Sequence, residues 1–134
     1  PTPNTSSAAS DVYKRQTIHP SQRLEMPAML YELRTYYTVP GRMPNLLARF
    51  RDHTCNLFEK NGIQNVGYWI ADNDPNCLLY IVRHQDSASM QANWDKFRND
   101  PEWVEAKAAS EADGQIVDRL TSQPMSPTDF SMLS

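Results

Sequence analysis

The fold of this chain is decided by residues 30–42, which read LYELRTYYTVPGR. The first part alternates between apolar and polar residues and is rich in Tyr, Leu and Thr, as β-strands are. Pro40 and Gly41 suit the two central positions of a type II turn. The alternation places Glu32 and Arg34 on one strand face beside large side chains. A face that mixes an acid, a base and large residues predicts a polar network inside a pocket or an interface.

The rest of the chain contains sequence patterns typical of three helices and three more strands. Pro44 lies where a first helical residue is expected, and a stripe of apolar residues at three- and four-residue spacing runs from there to Gly62. A second helix is predicted after Ser87, which would cap it. A third, shorter helix is predicted after Asp100, again as the cap, with Pro101 in the first helical position. The strands are predicted at residues 29–38, 63–71, 77–84 and 115–121. The third strand should be buried on both faces, because its apolar run is nearly unbroken.

This order of elements, β-α-β-β-α-β, is the ferredoxin-like plan of an α+β fold. One antiparallel sheet would carry both main helices on one side. The predicted strands remain apolar or aromatic on both faces, and a single chain offers no second layer to cover the other side. We therefore predict a homodimer in which a second copy of the sheet covers the open face.

Residues 1–25 are predicted to lie outside the domain. Residues 6–16, SSAASDVYKRQ, are what the end of a transposase adapter for sequencing libraries would encode. We interpret this segment as a translated adapter artefact within a disordered leader, which leaves residues 26–134 as the domain. The alternative is a natural tail rich in Ser and Ala.

Charge and composition limit the classes of partner. The net charge of −3 without a basic stripe argues against nucleic acid as a partner. No apolar run approaches the length of a membrane span, so membrane insertion is not expected. Cys55 and Cys77 lack a metal-like spacing and are predicted to be reduced thiols, which favours a cytoplasmic location.

Several short motifs occur in chain order from the first strand to the tail. They are YELRTY at residues 31–36, VGYW at 66–69, DPEW at 100–103 and PTDFSML at 127–133. Together they resemble the NIPSNAP family over about residues 29–133. The resemblance implies a dimeric α/β barrel but no settled activity. Neighbouring families on this fold include cofactor-independent monooxygenases, haem-degrading enzymes and small aromatic-compound isomerases.

One departure from the family pattern bears on the ligand. Residues 90–93 read MQAN at a turn of the second helix where the family often carries Arg. If that Arg contacts a ligand in relatives, this chain binds a different ligand or binds it less well.

The candidate pocket is built from aromatic residues. Trp69, Trp94 and Trp103 come from three different elements and could converge where the helices cover the sheet, forming an apolar site for a flat ligand. Ordinary core packing of each ring is the alternative. His53 and Arg34 are the predicted polar anchors of the same site, and Tyr36 is a further predicted ligand-binding residue.

Polar groups of the first strand have a structural interpretation as well. Glu32 and Arg34 could form an interior salt bridge, joined by Arg83 or Asp118 from other strands, because an unpaired buried charge is costly. Binding of a substrate anion by Arg34 is the alternative.

Two histidines are the candidate acid–base groups. His53 borders the apolar face of the first helix and could act as a general base, or it could be a structural His bonded to the backbone. His84 ends the third strand, where a solvated or capping role is expected. Neither His is accompanied by Cys or carboxylates at ligand spacing, so no metal site and no cofactor are predicted.

The leading functional prediction is binding of a small apolar or aromatic molecule between sheet and helices of a homodimer. One alternative is a cofactor-independent monooxygenase or isomerase that uses His53 as its base. Another is a non-catalytic protein-interaction module. No nucleophile elbow, phosphate-binding loop or paired cysteine motif supports acyl or phosphoryl transfer.

Overall fold

The structure is a computed structural model that describes residues 29–133. The predicted leader at residues 1–25 lies outside this range. The described residues fall into two units, of which Met29–Ser126 holds the strands and helices and the other begins at Pro127. In the second unit, the backbone N–H of Ser131 donates to the carbonyl of Thr128 at 3.1 Å and closes a turn.

The first unit has the predicted order of strands and helices. Its strands are β1 (Leu30–Thr38), β2 (Gln64–Ile70), β3 (Cys77–His84) and β4 (Val117–Met125). Its helices are α1 over residues 43–60, α2 (Ser87–Asn99) and α3 (Pro101–Ser110). The strands form a four-stranded antiparallel sheet in the order β2-β3-β1-β4. This topology confirms the predicted α+β, ferredoxin-like fold.

The turn between β1 and α1 is the predicted type II turn. The backbone N–H of Arg42 donates to the carbonyl of Val39 at 3.0 Å, and Gly41 has a φ of +86°. That φ lies in the left-handed region, which glycine enters without a Cβ penalty. The turn reverses the chain so that α1 packs back on the sheet that β1 has just entered.

Helix α1 widens in its middle. It consists of an α-helix at Met43–Arg49, a π-helix at Phe50–Thr54 and an α-helix at Cys55–Lys60. The backbone N–H of Cys55 donates to the carbonyl of Phe50, five residues back, as a π-helix requires. The hydroxyl of Thr54 donates to the carbonyl of Arg49 at 3.2 Å. Such segments are frequent at functional sites, and this one directly follows a buried arginine.

The helices pack on one side of the sheet, which we call the inner face. Register pairs Glu32 with Val82, Arg34 with Tyr80 and Tyr36 with Leu78 on this face. The buried core lies between it and the helices. Its members are Met43, Leu46, Phe50, Leu57, Phe58, Ile63, Leu78, Tyr80, Val82, Met90, Trp94, Phe97 and Ile116.

The opposite side of the sheet, the outer face, is only partly covered by residues 29–133. It carries Leu33, Tyr37, Leu79 and Ile81, all half-buried, and Trp69, which is 53% exposed. The prediction that the third strand is buried on both faces is therefore wrong within residues 29–133. Its inner face is buried, while its outer face remains half open because none of the helices in this range crosses it.

Two predicted element ends also differ from the structure. The last strand continues to Met125 instead of ending at residue 121, because its pairing with β1 extends to Tyr31 opposite Met125. Pro124 is tolerated there because β4 is an edge strand. The cap of α2 is Asp86, whose carboxylate accepts a hydrogen bond from the N–H of Ser89 at 2.8 Å, and Ser87 is the first helical residue.

Candidate functional site

The centre of the inner face is a buried carboxylate. Glu32 is 2% exposed and accepts hydrogen bonds from groups on β1, β3, α2 and β4. The donors are Arg34 Nη1 at 2.9 Å, His84 Nε2 at 2.8 Å, Trp94 Nε1 at 2.8 Å and the hydroxyl of Ser122. Burial alone would raise the pKa of Glu32. The hydrogen bonds from His84, Ser122 and Trp94 and the charge of Arg34 outweigh burial and lower the pKa from 4.5 to about 2.

The predicted interior salt bridge between Glu32 and Arg34 is therefore present. Its further partners are not the predicted Arg83 and Asp118. Arg83 donates from Nε to the side chain of Gln64 at 2.8 Å instead. The hydrogen bond between Arg34 and Glu32 is charge-assisted. Bonds of this type are among the strong ones in proteins, and they fix the Glu32 side chain in place.

Arg34 extends this network from Glu32 toward two tyrosines. Its Nε donates to Tyr80 Oη at 2.8 Å, and its Nη2 donates to Tyr36 Oη at 3.3 Å. The guanidinium carbon lies 4.2 Å from the ring centre of Trp94, a cation–π contact. Arg34 is thus held on several sides, and its charge is balanced by Glu32.

His84 is fully buried, so the prediction of a solvated or capping role is wrong. Its Nε2 faces Glu32 at 2.8 Å, and its Nδ1 has no hydrogen-bond partner among residues 29–133. A protonated Nδ1 in that position would be a buried donor without an acceptor, which is costly. The arrangement favours a proton on Nε2, directed at Glu32.

Tyr36 carries the network to the surface of a cavity. Its hydroxyl oxygen accepts from Arg34 and also from the hydroxyl of Tyr80 at 3.1 Å. Its own proton therefore remains available for a group that enters the cavity.

An open cavity of about 740 Å³ lies between the inner face of the sheet and helices α2 and α3. It reaches the sheet at β1 and β4. Its lining includes aromatic and charged side chains: Arg34, Tyr36, Arg49, Trp94, Phe97, Trp103, Lys107, Glu111 and Asp118. Aromatic side chains and cations thus share its walls.

Arg49 is a lining residue that the sequence analysis did not single out. Its side chain is buried although it lies on α1, and Nη1 donates to Ser110 Oγ at 3.2 Å and to Glu111 Oε2 at 3.3 Å. Its guanidinium carbon is 5.1 Å from the ring centre of Trp103. A charged residue next to Phe50 within the apolar stripe is the signal in the sequence that could have identified it.

Four of the six predicted site residues come together at this cavity. Arg34, Tyr36, Trp94 and Trp103 all line it. Trp69 does not join them, because it pairs with Leu79 on the outer face of the sheet. The expected convergence of three tryptophans is therefore found for Trp94 and Trp103 and not for Trp69.

His53 also lies apart from the cavity. It is exposed on the π segment of α1 and borders a shallow groove between α1 and α3, together with Asp52 and Ala106. The structure does not bring it to the cavity that Arg34 lines, where it was predicted to be a second polar anchor. The widened turn rotates His53 away from the apolar stripe that includes Phe50.

The described residues contain neither a cluster of metal ligands nor a helix that could span a membrane. Among residues 29–133, no group of three or more His, Cys, Asp or Glu side chains is placed to hold a metal ion. In the same range, no helix has the length and apolar character needed to cross a membrane.

One protein family matches most of the chain. A family model described as NIPSNAP matches residues 31–132. No curated protein matches the chain significantly.

Solved structures share the fold. The chain is similar to a NIPSNAP family protein with unknown function from Agrobacterium tumefaciens strain C58, with 23% identity, a TM-score of 0.70 and coverage of 81% of this chain and 96% of that chain. A second NIPSNAP family protein from the same strain has 20% identity, a TM-score of 0.70 and coverage of 79% and 99%. A NIPSNAP-like domain protein from Burkholderia xenovorans has 19% identity, a TM-score of 0.68 and coverage of 78% and 90%. At these identities the likeness is one of fold.

Proposed function

The chain belongs to the NIPSNAP family, and on this premise we propose that it binds a small apolar or aromatic molecule between the inner face of the sheet and helices α2 and α3. The observation that carries this proposal is the aromatic cavity of about 740 Å³. Its size falls within the range of small-molecule sites, roughly 300–1,000 Å³.

The aromatic walls favour a flat ligand. The rings of Phe97 and Trp103 lie with their centres 4.6 Å apart, and both line the cavity together with Trp94 and Tyr36. Aromatic pairs are stabilised beyond the area that they bury when they stack with an offset or meet edge to face. A planar apolar ligand could extend this arrangement.

A binding role has more support than catalysis with His53 as base. His53 lies in the groove between α1 and α3 and not in the cavity. A reaction in the cavity would therefore need a residue other than His53 to accept or donate protons.

The test is a fluorescence titration with N-phenyl-1-naphthylamine, a neutral aromatic probe. We expect saturable binding to the full chain. Trp103→Leu should weaken it by about tenfold, because losing one stacked aromatic contact together with its buried area costs on the order of 1 kcal/mol. Trp69→Leu is the matched control and should leave the affinity unchanged, because Trp69 lies on the outer face.

Two results would count against the proposal. One is an absence of saturable binding by the folded protein. The other is an equal loss of affinity in the two tryptophan variants. The first result would favour the protein-interaction module, and the second would mean that the probe does not bind in the aromatic cavity.

We also propose that the protein is a homodimer formed through the outer face. Leu33, Leu79 and Ile81 stand there half-buried, beside the exposed Trp69. A contiguous apolar surface of this kind is rare on monomers. A second copy of the same sheet would cover it with a matching surface.

A cytoplasmic location completes the proposal. It is supported by Cys55 and Cys77, which are both free thiols. Free thiols are typical of reducing compartments.

A further inference from the structure

We propose that the ligand is an acid, whose apolar or aromatic body occupies the cavity and whose carboxylate is bound by Arg49. This inference rests on the binding function proposed above and narrows its ligand class. It assigns to Arg49 the role of anion anchor.

The first argument is the hydrogen bonding of Arg49. Its side chain is only 4% exposed, and the hydrogen bonds that it makes to Ser110 and Glu111 both come from Nη1. Its Nε is buried and has no partner among residues 29–133. The Nε and Nη2 groups form one edge of the guanidinium, and a carboxylate can accept from both groups of such an edge at once. A buried donor without a partner is an exception in proteins. A carboxylate at this edge would pair with Nε after a small shift of the guanidinium, because Nε itself is closed to solvent.

The second argument is the balance of charge around Arg49. The charge of Arg34, another cation of the cavity, is balanced by Glu32 at 2.9 Å. Arg49 and Lys107 instead share one carboxylate, Glu111, at 3.3 Å and 3.0 Å. Two cations against one acid leave a positive charge at this end of the cavity. Burial weakens solvent screening of that charge at Arg49, whereas Lys107 is half exposed.

The third argument is that the guanidinium lies next to the aromatic wall. The carbon at its centre is 5.1 Å from the ring centre of Trp103, which in turn packs on Phe97. An aromatic acid bound against these rings would bring its carboxylate close to Arg49. Asp118, an exposed acid on the β4 side, would repel a carboxylate there, so the acid group should be directed toward α1 and α3.

The experiment compares 2-naphthoate with 2-naphthamide, its neutral analogue of nearly the same shape, by calorimetric titration of the full chain. We expect naphthoate to bind at least about tenfold more tightly, since a charge-assisted hydrogen bond contributes that much in a buried site. Arg49→Met should remove this preference. Arg51→Met removes an exposed cation two residues further along α1 and should keep the preference.

Further variants keep the test decisive. Arg49→Lys retains the charge but not the planar edge, so the preference should fall by several-fold; it replaces Arg49→Met if circular dichroism shows that variant to be unfolded. Asp118→Asn should tighten naphthoate binding, because it removes a repulsive charge.

The outcomes separate this inference from the binding function. Equal affinity for acid and amide in the wild type overturns the inference, while the binding function stands. An undiminished preference in both Arg49 variants overturns the assignment of Arg49. Failure of acid, amide and the neutral naphthylamine probe to bind would overturn the binding function itself.

Discussion

Glu32 shows how a charged residue can be placed in the centre of a small domain. Removing a carboxylate from water is expensive, and the cost is recovered only when hydrogen bonds and opposite charge surround it. Here four donors surround the two oxygens, and one of them is the guanidinium of Arg34. Loss of a single donor would leave part of a buried charge unsatisfied.

The lowered pKa of Glu32 makes the stability of the fold depend on pH. In the unfolded chain the carboxyl takes up a proton near its ordinary pKa of 4.5, whereas in the folded protein its pKa is about 2. The stabilisation is therefore complete above pH 4.5 and is lost as the pH falls toward 2. It amounts to on the order of 3 kcal/mol. We expect the free energy of unfolding, measured with urea, to fall by about this amount across that window.

Glu32→Gln should remove most of this pH dependence and should also destabilise the fold at pH 7. The matched control is Glu105→Gln on the exposed surface of α3, which should retain the wild-type profile. An identical profile in both variants would show that other carboxyl groups cause the loss.

Local sequence indicated part of this site and could not indicate the rest. The alternation within β1 was enough to place Glu32 and Arg34 on one face. His84 was misjudged because its partner, Glu32, lies 52 positions away, and the strand end gave no sign of that contact. His53 was misjudged because an α-helical projection assumes regular turns, and α1 widens at Phe50–Thr54.

Helix α1 is flanked by two glycines whose backbone is left-handed. Gly41 lies in the turn before α1, and Gly62 follows α1, and each has a φ of +86°. A Cβ at Gly41 would meet no atom within 4 Å, whereas a Cβ at Gly62 would lie 2.6 Å from the side chain of Asn93. That side chain donates to the carbonyl of Gly62 at 3.2 Å, so it would have to give up this bond to move away.

We expect Gly41→Ala to lower the free energy of unfolding by about 1 kcal/mol, the cost of the left-handed backbone alone. Gly62→Ala should lower it by about 2 kcal/mol, because the hydrogen bond of Asn93 is lost as well. Chemical denaturation of the two variants measures this difference directly. Equal losses would mean that Asn93 moves aside without cost.

The elements themselves were largely predictable, and their ends less so. The apolar residues Met90, Trp94 and Phe97 gave α2 its period, and all three are buried as expected. The end of β4 was placed too early because Pro124 reads as a strand breaker. Its position on an edge strand, which removes that objection, became evident only from the order of the strands.

For the whole molecule, the two faces of the sheet differ in what covers them. Helices seal the inner face, and the outer face is left with half-buried aliphatic residues around Leu79 and Ile81. Polar contacts border it, such as the guanidinium of Arg119 stacked 3.6 Å from the ring centre of Tyr37. An apolar centre with a polar border is the usual anatomy of an interface.

We expect sedimentation velocity at micromolar concentration to give about twice the chain mass of 15.4 kDa. Ile81→Lys should shift the protein to the mass of one chain, because it places a charge at the centre of the proposed interface. Val104→Lys is the control, since Val104 is an equally apolar side chain that is 53% exposed on α3. A wild-type protein that sediments as one folded chain would refute the dimer.

The four donors of Glu32 also bear on how the domain comes apart. They belong to three neighbouring strands, β3, β1 and β4, and to helix α2, which lies between β3 and β4 in the chain. None of these four elements can loosen without exposing the same carboxylate. Fraying of the β4 edge is thereby linked to the loss of the whole network, and β3, β1, β4 and α2 should behave as one cooperative unit rather than as a sheet with an independently mobile β4 border.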